Sequence, residues 1–190
     1  MKSLLRPALC LLLALSLITG LAYPLAVLGL AKLVFPDQAH GSLVYHGTSA
    51  VGSRLIGQNF ADPGHFWGRL SATAPQPANG LASGGSNLAP QNPALIDAVK
   101  ARIAALQAAD PQNHAAIPVD LVTASASGLD PDISPAAAQY QLARVARARG
   151  VSEQRVADAI AQATQGRQWG LFGEARVNVL QLNLALDAMR

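Results

Sequence analysis

The sequence predicts an α+β protein: one N-terminal transmembrane helix followed by a single compact extracytoplasmic α+β domain. Three observations lead there. The chain has 190 residues, enough for about one domain. Its 51% hydrophobic and 13% charged residues depart from the roughly 25% charge of ordinary soluble domains, and the apolar excess is local, because Pro7–Ala31 contains no charged residue. Behind that run, proline-marked helix starts alternate with short apolar runs and turn-rich loops.

The first element is the membrane segment. Pro7–Ala31 is 25 uncharged residues; as a helix it is about 37 Å long, against a hydrocarbon core of about 30 Å. A cleavable leader with a cut at Gly20-Leu21-Ala22 is the competing reading. Leader apolar regions run about 7–15 residues, and here Leu25, Val27, Leu28 and Leu30 continue past that site, so retention is expected. The segments are 1–6 as a cytoplasmic N-terminus, 7–35 as the transmembrane helix and 36–190 as the outside domain. Lys2, Arg6 and the α-amino group precede the span, while Lys32 is offset by Asp37. The positive-inside rule therefore puts the N-terminus in the cytoplasm and residues 36–190 outside. Ser16 and Gly20 share a face that Pro24 extends, a spacing that lets a neighbouring helix approach closely. Pro24 also removes a backbone donor and is a kink candidate.

In the outside domain, Ser42–Tyr45 and Arg54–Gln58 read as β-like pieces. Residues 71–93, dominated by Ser, Pro, Asn, Gly and Ala without periodicity, read as a long loop. Asn92 caps a helix with Pro93 at its first position; Leu95, Ile96, Val99, Ile103 and Leu106 give it one buried stripe, and Ala109-Asp110-Pro111 ends it. Ile117–Thr123 reads as a strand and Ser125–Pro131 as a loop. Ser134-Pro135 starts a helix that Gly150 terminates. Ser152 caps another, carrying Val156, Ile160 and Ala163. Gly166–Gly173 is a loop. Val177–Met189 fits both strand alternation and a helical stripe through Val179, Leu182, Leu186 and Met189; Asn178 as a cap favours the helix.

Charge and motifs exclude several function classes. The net charge of +3 disappears without Lys2, Arg6 and Lys32, which leaves 11 basic against 11 acidic residues and no basic patch for nucleic acid. The three lysines, Lys2, Lys32 and Lys100, include none placed in a Walker loop or an aspartyl-phosphate site. His40, His46, His65 and His114 show no ligand spacing, and Cys10 is the single cysteine, so no zinc signature or internal disulfide exists. Gly84-Gly85-Ser86-Asn87-Leu88 lacks the last glycine of a nucleophile elbow. Ser125 or Ser127 with Asp120 or Asp130 and His65 is the one conceivable triad. The stretch Ser83, Gly84, Gly85, Ser86, Asn87 is able to form an anion nest or a plain turn. Asp120, Asp130 and Asp132 can serve a cation or a partner, or can stabilise turns and helix starts.

The ordered motifs go further. They are Leu55-Ile56-Gly57-Gln58-x-Phe60, Phe66-x-Gly68-Arg69 and Ala82-Ser83-Gly84-Gly85-Ser86-Asn87-Leu88. Val119-Asp120-Leu121-Val122-Thr123-Ala124-Ser125 and Ser127-Gly128-Leu129-Asp130-Pro131 follow, and then Gly173-Glu174-x-Arg176-Val177-Asn178. With their spacing and the N-terminal helix, the chain closely resembles the C subunit of the bacterial high-affinity potassium-transporting ATPase, the Kdp system. Asp132 stands where that family tends to have histidine. The resemblance implies a non-catalytic accessory subunit in the cell inner membrane. Its partners would be a channel-like potassium-translocating subunit, a P-type ATPase catalytic subunit and a small membrane subunit. Potassium is then the transported ion of the complex. The family's C subunit is described as aiding assembly and raising the ATP affinity of the catalytic subunit, a catalytic chaperone. ATP contact at Ser83–Asn87 is implied in the same way, in tension with the topology, and no other cofactor is. Ser16, Gly20 and Pro24 are the helix-packing candidates; Asp120, Ser127 and Asp130 are the partner-contact candidates. The alternative is a stand-alone periplasmic binding or serine-hydrolase domain with a signal anchor.

Overall fold

A computed structural model describes residues 2–189; Met1 and Arg190, the ends of the expected segments 1–6 and 36–190, lie outside the described residues. The chain divides into two units, Met1–Val51 and Gly52–Arg190.

The first unit begins with an apolar helix. Helix α1 spans Lys2–Leu17, a π-helical turn spans Ile18–Ala22, and α2 spans Tyr23–Val34. Over Leu4–Val34 the helix is 31 residues long with a mean hydropathy of 2.2, long and apolar enough to cross a membrane. Just before Pro24 the helix takes a π-turn, in which the Tyr23 N–H donates to Ile18 O. Pro24 has no N–H to continue the ladder, and π-bulges are a usual way for a helix to absorb such an interruption. The short helix α3, Pro36–Ala39, follows, and then a two-stranded sheet of β1, Leu43–His46, and β2, Ser49–Ser53. The first β-like piece is thus shifted by one residue, because Gly41 and Ser42 both have positive φ and still belong to the turn. The second is corrected: Arg54–Gln58 is not a strand. The Leu55 N–H donates to Ser53 Oγ, closing a turn, and the Gly57 N–H donates to Leu129 O at 2.8 Å.

The second unit is built on helices. After a long irregular stretch come α4 (Pro93–Ala109), α5 (Val119–Val122), α6 (Pro135–Arg149), α7 (Glu153–Ala163) and α8 (Val179–Asp187). Strands β3 (Asp132–Ile133), β4 (Thr164–Gln165) and β5 (Arg176–Asn178) form an antiparallel sheet in the order β3-β5-β4. Val177 sits opposite both Ile133 and Thr164. The four caps act as their residue types suggest: the Asn92, Ser134, Ser152 and Asn178 side chains each accept a first-turn backbone N–H. Gly150 ends α6 at φ 66°, where glycine avoids the Cβ penalty. Asn178 also resolves the ambiguous last segment, since it closes β5 and opens α8.

Helix α6 is the centre of the core. Its Ala137, Ala138, Leu142, Val145 and Ala146 pack with Val156 and Ile160 of α7, Leu182 and Leu186 of α8, Val177, Ile133 and Phe66. Each fully buried large aliphatic here stabilises by about 1.5–3 kcal/mol relative to exposure. Two readings fail against this core. Ile117–Thr123 is not a strand: Pro118 stands at the N-cap, Val119–Val122 form one helical turn, and the Thr123 hydroxyl bonds back to Val119 O at 2.8 Å. The stripe of α4 is only partly covered, with Leu106 buried and Ile96 exposed.

Candidate functional site

The second unit carries its polar chemistry where two loops rich in glycine and serine meet. Ser125 enters this region by hydrogen bonding to Leu70 O at 3.0 Å, beside a parallel bridge between Leu70 and Ala124. The Gly84 N–H donates to Ser127 O at 2.8 Å, and the Ser83 hydroxyl donates to the same oxygen at 3.0 Å. A Cβ on Gly85 would stand 2.8 Å from Ala126 O. Gly128 has φ +68°, and a Cβ there would stand 2.7 Å from Gly84 O. The motif glycines are therefore spacing residues that let two backbones touch. The Ser71 hydroxyl closes the arrangement by donating to Gly128 O at 2.7 Å.

This placement decides what Ser83–Asn87 offer. The Gly84 N–H, a donor an anion nest would use, is already accepted by Ser127 O. Ser83, Ser86 and Asn87 face solvent, and Gly84 and Gly85 are half-buried. The cavity beside the loops, about 80 Å³, is lined by Gly57, Gly68, Arg69, Ser125, Gly128 and Asp130 among others, and by none of Ser83–Asn87. Pockets for drug-sized ligands run about 300–1,000 Å³, so this one suits a few waters. Ser125, 4% exposed, lines it with an Oγ that has no hydrogen-bond partner, and so does Arg69 through Nε.

The acidic candidates are engaged within the domain. Asp120 accepts the Ser134 N–H at 2.8 Å and the Ser134 hydroxyl at 3.2 Å, tying α5 to the start of α6. Asp130 accepts Arg69 Nη1 at 3.0 Å and the Asp132 N–H at 3.0 Å. Ser127 Oγ accepts the Leu129 N–H at 3.1 Å. Asp132 accepts Asn178 Nδ2 and pairs with Arg176, both at 3.1 Å. Burial raises its pKa, and the Asn178 and Arg176 contacts only partly offset that. The conceivable triad does not assemble: His65 Nε2 lies 3.2 Å from Asp187, and His65 Nδ1 lies 3.6 Å from Asp62. Among the described residues, no three His, Cys, Asp or Glu converge as a metal-holding group.

In the apolar helix, Ser16, Gly20 and Pro24 are all exposed, and the line they form runs through the π-turn. A Cβ on Gly20 would meet nothing within 4 Å, so the surface there is open to close approach by a neighbour.

Sequence reasoning missed a buried amide network. Gln141 Oε1 accepts the Trp67 N–H at 2.8 Å, and its Nε2 donates to Trp67 O at 3.1 Å. Asn183 treats Phe66 the same way, at 2.8 and 3.0 Å. Two side chains thus replace the ladder partners that Phe66-Trp67 would have in a sheet. Arg144 donates to Gln141 Oε1, Pro63 O and His65 O. The guanidiniums of Arg102 and Arg144 both lie over the Trp67 ring, 5.1 and 4.8 Å from its centroid. Burial pushes the Arg144 pKa down to about 10 and that of Arg102 down as well. The available signal was Gln141 and Asn183 themselves, amides standing beside core residues of their helices.

Comparison with known proteins bears on the whole chain. Residues 5–188 match the family described as "KdpC: K+-transporting ATPase, c chain". A relative from Variovorax paradoxus is 69% identical over 188 residues, covering 99% of this chain and 97% of its own length. One from Polaromonas naphthalenivorans is 67% identical, covering 100% of this chain and 97% of its own. One from Dechloromonas aromatica is 60% identical, covering 100% and 99%. Each of the three bears the name "Potassium-transporting ATPase KdpC subunit".

Proposed function

The chain belongs to the KdpC family, the c chains of K+-transporting ATPases, and from that premise we propose that it is a non-catalytic accessory subunit of an ATP-driven potassium uptake complex. One observation carries the reading: the similarity runs from the apolar helix to the end of the domain without a gap in coverage. The polar groups also support it. Asp120, Ser127 and Asp130 hold loops together, and His65 pairs with Asp187 away from Ser125. In this reading the helix seats in the inner membrane with the N-terminus in the cytoplasm. Ser16, Gly20 and Pro24 pack against a channel-like potassium-translocating subunit. The domain stands outside and clamps that subunit, presenting the edges of the Asp120, Ser127 and Asp130 loops.

The effect on ATP affinity is then transmitted through the assembly to the catalytic subunit. With Gly84 N–H accepted by Ser127 O and no lysine in the second unit other than Lys100, Ser83–Asn87 make a poor phosphate cradle.

Pull-down of the tagged full chain from detergent-solubilised membranes should bring down the channel-like and catalytic subunits; recovery of a cleaved, monomeric domain refutes the assignment. The KM for ATP of the purified complex should rise several-fold without this chain. Orientation is tested with cysteines at Ser83 or Ser127 in intact cells: an impermeant thiol reagent should label them. Labelling only after the membrane is broken reverses the topology and reopens direct nucleotide contact.

A further inference from the structure

The segment Gly166–Gly173 folds as a hairpin tip that points apolar side chains at solvent. Trp169, Leu171 and Phe172 are 88%, 76% and 60% exposed. Their backbone is hydrogen-bonded all the same. The Phe172 N–H donates to Gln168 O, the Gln168 N–H to Phe172 O, and the Leu171 N–H to Gln168 O. The Trp169 and Phe172 rings meet edge to face at 6.0 Å. Trp169 has φ 53°, a conformation bulky residues avoid. Arg167 binds both Glu174 oxygens at the base, at 2.8 and 2.7 Å, neutralising the tip's one acid. Arg167 and Glu174 thus form a polar collar behind three apolar side chains that lie within four residues of one another.

We propose that this tip is a second membrane contact, inserting Trp169, Leu171 and Phe172 into the headgroup and upper acyl region of the bilayer that holds the N-terminal helix. The inference rests on that helix being seated in a bilayer and is independent of the transport role. A bilayer fits better than a protein groove for two reasons. An indole with apolar neighbours and a polar collar is the chemistry of the interfacial zone, where one end of the anchor is apolar and the other wet. The bilayer is also held close by the chain itself. Only Phe35–Val51 separate the end of α2 from the second unit, at most about 60 Å of chain, and a unit of this size has a radius of gyration of about 14 Å. Tethering of this kind makes weak insertion effective.

The chain has two tryptophans, Trp67 and Trp169, so fluorescence reads the tip directly. The full chain carrying Trp67→Phe is reconstituted into phosphatidylcholine vesicles, with and without bromine on the acyl chains, and vesicle flotation confirms that the helix is seated. Trp169 emission is expected to shift to shorter wavelength than in an exposed indole and to lose intensity in brominated lipid. If Trp67→Phe fails to fold, the difference between the unmodified chain and Trp169→Phe isolates the same signal. Water-like emission, unquenched by brominated lipid in chains that float with the vesicles, overturns the proposal while leaving the transport assignment intact. A blue shift that needs the larger subunits, without lipid quenching, overturns it too and assigns the tip to a protein partner.

Discussion

The two tryptophans of the second unit sit in segments of opposite design. Trp67 belongs to an irregular stretch with no strand partner, yet it is 8% exposed. Its backbone is gripped by Gln141, and the guanidiniums of Arg102 and Arg144 lie over its ring. Trp169 belongs to a hairpin that satisfies its own backbone and offers its ring to the surroundings. Burial in one case is created by side chains from helices distant in sequence, Arg102 on α4 and Gln141 and Arg144 on α6. In the other, local turn geometry prevents it. The difference shows that an aromatic residue in a loop says little alone; what matters is whether distant polar groups arrive to pair the backbone around it.

The comparison is most easily broken at Trp67. Trp67→Ala should destabilise the domain by about 3–5 kcal/mol, the usual range for deleting a buried large aromatic, seen as a lower unfolding midpoint of the full chain in detergent. An effect below about 1 kcal/mol would show that the segment is not anchored by its ring. Next comes Gln141→Leu, which keeps the volume but leaves the Trp67 N–H and C=O and an Arg144 donor unpaired. The expected loss is about 2–4 kcal/mol, since each stranded buried group costs about 1–3, and amide exchange at Trp67 should accelerate.

Asp187 sharpens the contrast through pH. Burial alone would raise its pKa, but hydrogen bonds from Arg149 and His65 outweigh burial and hold it below the ordinary carboxylate value. A depressed acid stabilises the fold fully above its unfolded pKa of about 4 and loses that contribution as pH falls through the folded value. Asp187→Asn should therefore cost about 1 kcal/mol or less at neutral pH, given the side chain's exposure, and nothing in strong acid. Smallest of all, Trp169→Ala should shift stability by no more than about 0.5 kcal/mol, while changing how the full chain meets vesicles.

What the sequence made legible follows the range of the interaction. Asn92, Ser134, Ser152 and Asn178 announce helix starts because a cap bonds within three residues of itself. The apolar helix is legible from length alone. Ile117–Thr123 misleads because a short apolar run suits a strand or a helical turn equally, and the decision falls to Pro118 and the Thr123 hydroxyl. Arg54–Gln58 misleads because its backbone bonds go to a local turn, Ile56 N–H to Ser53 O, and to Leu129 O in another loop, and not to a neighbouring strand. The touching of Gly84 by Ser127 is invisible until the fold brings the two glycine and serine runs together. It makes Ser83 and Gly84 part of the seam of a double loop.

The π-turn at Ile18–Ala22 has its own consequence for how this span tolerates change. Deleting a residue from an ordinary helix swings everything beyond the deletion by about 100°. Here the wide turn already stores one surplus residue, so losing one between Ile18 and Ala22 would let the backbone settle into regular pitch with both halves still presenting their former sides. A lone deletion there should leave the two halves of the helix in their former register, where the same deletion near Leu12 or Leu28 would rotate one half against the other.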